Sequence, residues 1–469
     1  MSTSTATVST PVIIPIETPT LGDRSYLAHD GEVAVVIDPQ RDIDRVLALA
    51  EEAGVTITDV FETHIHNDYV TGGLALAQAT GARYHVNAAD EVSYERSPIS
   101  DGDVVEASPT MRVRAIATPG HTFTHLSYAL ESAAAPGEDF EPVGVFTGGS
   151  LLFGATGRPD LLGHDHTHDL VHHQFASAHR LADELPEHTH VLPTHGFGSF
   201  CSAGSTGDTT ASTIGDEKRR NPALTQEQER WVADTLAGLD AYPAYYAHMG
   251  PANSSGPGAP DLTAPEAADK DTLATRIAAG EWVVDLRTRT AFAAGHVTGT
   301  LNFGLDGQFA TYLGWLIPWG TPLTLLGDTP EQVAEAQREL VRIGIDRLEG
   351  AATGRPQDWT DDDLGSFERA VFADLAQVRH HRQVQVLDVR RTSEFDDVHI
   401  DGAVNIPLHE LLERLDEVPS GEVWVHCAGG YRASIAASVL AARGLHVVAV
   451  DDSFGENASG SGLPLTAAA

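Results

Sequence analysis

The stretch Val423-Trp424-Val425-His426-Cys427-Ala428-Gly429-Gly430-Tyr431-Arg432, continued by Ala433-Ser434-Ile435-Ala436-Ala437-Ser438-Val439-Leu440, reads as a buried strand, a glycine-containing loop and a helix. A strand that feeds a helix through a short loop is the repeating unit of α/β folds. A cysteine in such a loop has several backbone N–H groups aimed at its sulfur. The helix N-terminus and Arg432 add positive potential, and together these favour the ionised sulfur. Gly429 and Gly430 leave room for a ligand against the backbone, with Tyr431 beside it. Cys427 and Arg432 are therefore candidate catalytic residues, and Gly429, Gly430 and Tyr431 candidate substrate-binding ones.

Working outward, the C-terminal half holds a repeat. Asp388-Val389-Arg390 is followed by His399, Gly402 and Asn405, and Asp285-Leu286-Arg287 by His296, Gly299 and Asn302 at the same spacing. Further on, Val423 to Gly444 aligns with Leu323 to Gly344. This pairs Cys427 with Gly327 and Arg432 with Gln332, so the first copy lacks the nucleophile and its cation. The loop resembles the active-site loop of the rhodanese family. Four residues separate its cysteine and arginine, where the related tyrosine phosphatases have five. The resemblance implies an inactive rhodanese-like domain over residues 270–355 and an active one over 356–458. A Pro/Gly/Ser-rich linker at 250–269 precedes them, and a flexible tail at 459–469 ends the chain.

Residues 11–249 read as a separate unit of strands and helices, following a flexible N-terminal tail at 1–10. Val33 to Ile37 is a strand closed by Asp38-Pro39, Asp42 to Ala53 a helix stopped by Gly54, and Thr71 to Thr80 a helix stopped by Gly81. Further strands are expected at 60–63, 113–117, 126–130, 143–147 and 191–193. Their ends carry Thr63-His64-Ile65-His66-Asn67-Asp68-Tyr69, Thr118-Pro119-Gly120-His121, Thr147-Gly148-Gly149-Ser150 and Pro193-Thr194-His195-Gly196. Alternate histidines past a strand end share a side, where imidazoles and a carboxylate can converge on a metal. His64, His66, Asp68, His121 and His195 are the candidate ligands. A second cluster, His164, His166, His168, His172 and His173, puts His168 and His172 one helical turn apart, where they could share a metal ligand site; the favoured reading is a solvated helix start with Asp165 and Thr167 as cap candidates. Cys201 lacks a glycine cradle and reads as a packed thiol.

This order of turns resembles the metallo-β-lactamase superfamily, and within it the persulfide dioxygenases and the glyoxalase II-like hydrolases. Gly157-Arg158-Pro159-Asp160-Leu161 and the fusion to rhodanese modules support the persulfide branch, where that arginine is associated with the thiol substrate. The implied fold class is α/β: an αββα metallo-β-lactamase sandwich followed by two small α/β rhodanese-like domains. The implied substrate-binding residues are Arg158, Asp160 and Tyr69. The implied cofactor is Fe(II), with zinc as the alternative. Tyr69 stands where the family's fourth histidine falls, and Gly149 where an aspartate ligand falls. Iron held by His64 and His121 then has an open position for water, Ser150 or a substrate thiolate. Two other arrangements remain: His66, Asp68 and His195 hold a differently placed metal, or no metal is held firmly. An aspartate at position 149 is expected to tighten iron binding.

The formal net charge is −38, and lysine occurs only at Lys218 and Lys270. So acidic a surface argues against nucleic acid and anionic membranes as partners. Two cysteines in 469 residues suit a reducing, cytoplasmic compartment. No segment reads as a signal or a membrane span, and a homo-oligomer is admitted. The sequence-level expectation is an enzyme of persulfide and sulfide detoxification, in which a metal-dependent persulfide dioxygenase-like domain is coupled to a sulfurtransferase acting on a small thiol or persulfide. The alternatives are a glyoxalase II-like thioester hydrolase with sulfurtransferase, and a sulfur-binding protein on a non-catalytic scaffold.

Overall fold

A computed structural model describes residues 10–204 and 209–467. The expected tail at 1–10 lies almost wholly outside them. Contacts divide the chain into two units, the first running to Pro260 and the second from Asp261, with a short segment, Val341–Gly344, grouped with the first.

The first unit is built on two six-stranded sheets. One runs Val12–Thr18, Asp23–His29, Val33–Ile37, Thr56–Phe61, Arg83–Asn87, Ser97–Ile99 in spatial order; the other Ser212–Thr213, His190–Pro193, Glu141–Gly148, Leu126–Ser132, Met111–Ala117, Val104–Glu106. Alternation along the strands sorts the side chains by face. Val35, Ile37 and Phe61 meet Val113, Leu126, Tyr128 and Phe146 between the sheets. Ala34, Val36 and Val60 point the other way, onto Val46 and Leu76 of the helices Asp44–Ala53 and Gly73–Thr80. Val145 and Val191 face the long helix His164–Glu184 through Val171, Ala178 and Leu181. Each sheet thus has a helix layer on its outer face, the expected αββα sandwich.

The second unit holds two parallel sheets, in the order Leu301–Asn302, Trp282–Asp285, Leu323–Gly327, Leu348–Thr353 and the order Glu368–Ala370, His446–Val450, Glu422–His426, Gln385–Asp388, Val404–Asn405. The repeat recurs bond for bond. Arg287 pairs with Asp285 and Arg390 with Asp388, each at 2.6 Å. The Asn302 amide donates to the carbonyls of Asp285 and Arg287, and the Asn405 amide to those of Asp388 and Arg390. His296 and His399 each hydrogen-bond the carbonyl four residues back. The repeated residues hold the fold; they are not chemistry lost from one copy.

Three expected boundaries move. The linker's first residues belong to the helix Tyr246–Ser255, which tolerates Pro251 inside it. The first copy extends past 355: the helix Pro356–Trp359 puts Trp359 into its core with Leu273 and Val283, and Gly365 bridges to His296. The tail is structured. Leu463 is buried in the core of the second copy, and Leu465–Thr466 pairs antiparallel with His399–Ile400. Burial of a leucine there offsets the entropy of ordering that composition alone suggested. The last two residues of the expected tail lie outside the described ones. No helix among the described residues is long and apolar enough to cross a membrane.

Candidate functional site

The strand-end turns of the first unit do converge. The His64 ring centroid lies 4.1 Å from His66, 4.9 Å from His121 and 5.4 Å from His195, and His121 lies 5.2 Å from His195. Asp68 Oδ2 is 3.2 Å from His195 Nδ1. All five are buried. Ligand atoms of His64, His66 and His195 fall within 4.8 Å of one another, as do those of Asp23, Asp68 and His195.

Tautomers follow from the partners. The single Thr63 hydroxyl proton goes to Asp38 at 2.8 Å, so Nδ1–H of His64, 2.9 Å away, must be the donor to that oxygen. His121 donates Nδ1–H to the Arg158 carbonyl at 2.8 Å, and His195 donates Nδ1–H to Asp23 at 3.0 Å. The free nitrogen is Nε2 in all three, buried and with no hydrogen-bond partner. An imidazole held at Nδ1 with an orphaned Nε2 is the arrangement of a metal ligand with its outer support. Burial and the neighbouring His195 push His121 down to about 3, which keeps it neutral. For His195, burial opposes charge, but Asp68 and Asp23 outweigh it and raise its pKa to about 10. Its Nε2 proton is the one a cation has to displace.

His66 points its Nε2 away from the cluster and keeps its Nδ1 buried and unpartnered beside His64 and His195. Its Nε2 lies 3.2 Å from Asp38, 3.3 Å from Glu62 and 3.1 Å from the Tyr69 hydroxyl. Burial opposes its charge, yet Asp38 and Glu62 hold its pKa at about 9. Tyr69, expected to bind substrate, is fully buried with its hydroxyl on His66 and the Asp38 carbonyl. Arg158 and Asp160, also expected at the substrate, pair with each other at 2.7 Å, and the guanidinium donates further to the carbonyls of Phe200 and Asp240. Arg158 serves the site through its carbonyl, on His121.

Several residues that organise this site went unpredicted. Asp38, a non-glycine residue at φ 51°, accepts from Thr63 N–H and from the hydroxyls of Thr63 and Thr194, tying together the turns before His64 and His195. His125 accepts the Gly149 N–H at 3.1 Å. Asn253, within the expected linker, donates to the carbonyls of His66 and Tyr69. The Asp-Pro closure of the strand was a legible signal for Asp38; nothing local marked Asn253. Cys201 is not simply packed among apolar groups: it lies with His121 and His195, ligand atoms all within 4.8 Å. Burial, with Asp68 and Asp23 nearby, pushes its thiol well above the ordinary range. The His164–His173 cluster begins an exposed helix face capped by Gly163, not by Asp165 or Thr167.

Position 149 is not a vacant ligand position. A Cβ there would stand 2.4 Å from His121 Cδ2 and 2.9 Å from its Nε2.

In the second unit Cys427 ends the strand Glu422–His426 and is buried, with the Gly430 N–H donating to its sulfur at 3.1 Å. Gly430 sits at φ 91°, and a Cβ would fall 2.1 Å from Asp451 Oδ1, so the loop requires glycine. Gly429 faces open space. Arg432 differs from expectation. Its guanidinium is bound in two-pronged fashion to Glu394 at 2.6 and 2.8 Å, so much of its charge is compensated. Burial works against the Glu394 carboxylate, but Arg432 outweighs it and holds it at about 2. This contribution to stability is present in full above the ordinary value near 4.5 and is lost as pH falls through about 2. Glu394→Gln is therefore expected to flatten the fall in urea midpoint over that window, and to lower the KM for an anionic sulfur donor severalfold by freeing Arg432. The first copy walls this loop: the Tyr431 hydroxyl donates to Gly304 O at 2.7 Å, and Arg289 pairs with Asp451 at 2.8 Å.

Residues 21–180 match the family model of the metallo-beta-lactamase superfamily, and residues 372–456 that of the rhodanese-like domain. The chain carries a metallo-β-lactamase-superfamily domain followed by a rhodanese-like domain. A hydroxyacylglutathione hydrolase of Polaromonas sp. (strain JS666) is 29% identical over 166 residues, covering 35% of this chain and 57% of that one. Another, from Acidiphilium cryptum, is 35% identical over 120 residues, or 25% of this chain and 49% of that one. The chain thus spans about half the length of these curated relatives. A crystal structure of a metallo-beta-lactamase from Staphylococcus aureus subsp. aureus COL superposes with a TM-score of 0.66 at 27% identity, over 74% of this chain and 100% of that one. The metallo-β-lactamase domain thus carries buried His and Asp groups that could hold a metal ion.

Proposed function

We propose that the protein is an enzyme of sulfane-sulfur metabolism, in which a metal-dependent domain acting on a low-molecular-weight persulfide is coupled to a sulfurtransferase. The observation that carries this reading is Cys427, held at a strand end with the Gly430 N–H on its sulfur. In the reaction the Cys427 thiolate attacks the outer sulfur of a persulfide donor. A new S–S bond forms, the donor's S–S bond breaks, and the donor leaves as its thiolate. An acceptor nucleophile then takes that outer sulfur and returns the Cys427 thiolate. The loop N–H groups support the negative sulfur at each stage.

In the metallo-β-lactamase domain His64 and His195 through Nε2, and His66 through its unpartnered Nδ1, would hold the metal, with His121 beside them; Thr63, Asp23 and Arg158 set the ring orientations of His64, His195 and His121. Bound there, Fe(II) would supply oxygen activation, and zinc a hydroxide for hydrolysis. Arg158 and Asp160 act here as positioning residues for His121. Both domains on one chain raise the effective concentration of transferred sulfur. The net charge of −38 disfavours nucleic acid and anionic membranes as partners.

A second reading, metal-dependent thioester hydrolysis, is favoured by similarity to the hydroxyacylglutathione hydrolases. Purified full chain assayed with glutathione persulfide in an oxygen electrode, and separately with a hydroxyacyl-glutathione thioester, tests the choice. Oxygen uptake at one molecule per persulfide is the expected result. Thioester cleavage without oxygen uptake would replace the first reading by the second.

A further inference from the structure

The family's carboxylate ligand has no room at position 149. The ring of His121 stands where the Cβ would be, and its Nδ1–H is tied to the Arg158 carbonyl at 2.8 Å, which holds it there. The imidazoles are neutral ligands, and the carboxylates of Asp68 and Asp23 lie against His195 Nδ1, at 3.2 and 3.0 Å, not at its free Nε2, so a divalent cation on the Nε2 atoms calls for a further anionic donor.

Cys201 is placed to be that donor. Its sulfur lies with one ligand atom of His121 and one of His195, all within 4.8 Å of one another. His121 and His195 are themselves buried with Nε2 unpartnered. The segment carrying the cysteine is stapled to the one that sets His121. The Arg158 N–H donates to the Cys201 carbonyl at 2.8 Å, the Ala203 N–H donates to the Thr156 carbonyl at 2.9 Å, and Gly157 bridges to Ser202. Arg158 meanwhile accepts the His121 Nδ1–H on its own carbonyl. One short antiparallel pairing therefore fixes both the sulfur and the imidazole beside it, although 80 residues separate them in the chain. A buried thiol beside two imidazoles whose Nε2 atoms have no partner is poorly explained as packing.

We propose that Cys201 is a metal-ligating thiolate which, with His121 and His195, supplies the negative charge that position 149 does not. This rests on the reading of the first domain as a metal centre. Thiolate and imidazole together suit zinc or iron and select against magnesium and calcium.

Cobalt(II) added stoichiometrically to the metal-free full chain tests it, because thiolate ligation gives an intense near-ultraviolet charge-transfer band that imidazole and carboxylate do not. The chain has two cysteines, so Cys427→Ser leaves Cys201 as the only thiol. The band is expected in the wild type and undiminished in Cys427→Ser. It should be absent in Cys201→Ser and Cys201→Ala, with cobalt affinity at least about tenfold weaker. Cobalt bound by Cys427→Ser without that band would overturn the thiolate assignment while leaving the metal centre standing. Failure of Cys427→Ser to bind cobalt at all would overturn both. The Cys427→Ser spectrum decides the matter even if the Cys201 variants fail to fold.

Discussion

Replacing Cys427 by serine is expected to abolish cyanide-dependent sulfur transfer, with a fall on the order of a thousandfold or more. The sulfur forms and breaks every bond in the proposed transfer, and a hydroxyl has neither its nucleophilicity nor its ability to carry a second sulfur. The fold has little reason to change. Serine is close in shape, the residue is already buried, and a hydroxyl still accepts the Gly430 N–H that now points at the sulfur at 3.1 Å. The melting temperature should stay within a few degrees of wild type, so the loss is assignable to chemistry. Thiocyanate production from thiosulfate or a persulfide, with cyanide as acceptor, is the measurement. Transfer at more than a tenth of the wild-type rate in Cys427→Ser would place the sulfur-carrying group elsewhere.

Gly149→Asp is expected to weaken metal binding and the fold together, the reverse of what ligand counting along the chain predicts. The new Cβ would stand 2.4 Å from His121 Cδ2, and the ring is held in place by its Nδ1–H bond to the Arg158 carbonyl at 2.8 Å. The Gly149 peptide cannot give way easily either. Its N–H is held by His125, and its carbonyl accepts from Gln174 and Gly157. Overpacking at a buried site, with a carboxylate forced in, costs at least about 2 kcal/mol, which lowers the melting temperature of a domain this size by roughly 4–8 °C. Metal per chain by elemental analysis should fall with it. Tighter metal binding at an unchanged melting temperature would mean that the His121 ring swings aside and that position 149 faces the ion after all.

The two predictions differ in how much of their basis could be read along the chain. The Cys427 loop was legible because everything it needs is local: an apolar strand, a glycine able to take φ 91°, and a helix start within ten residues. The ligand histidines were legible for a similar reason, each following its own strand end. Arg432 shows the limit. Its position in the loop was plain, but its partner Glu394 lies 38 residues away, and that pairing changes its electrostatic role. Asn253 was concealed by composition. Pro, Gly and Ser around it suggested a linker, yet one buried amide makes bonds to the carbonyls of His66 and Tyr69 that outweigh poor helix propensity.

Periodicity, turn chemistry and the internal repeat by themselves determined that this chain alternates strands and helices, that its C-terminal half is duplicated with the loop cysteine in one copy alone, and that four histidine- or glycine-bearing turns close four strands. These are properties of neighbours in sequence, written in spacings of two to four residues. Only the tertiary structure decided which donors face one point in space. It put Cys201 beside His121 and His195, filled the space at Gly149 with an imidazole, and bound the turns to Asp38. Those outcomes depend on how two sheets stack and where a ring comes to rest, to within an ångström, between segments as much as 156 residues apart, and no local pattern encodes a distance of that kind.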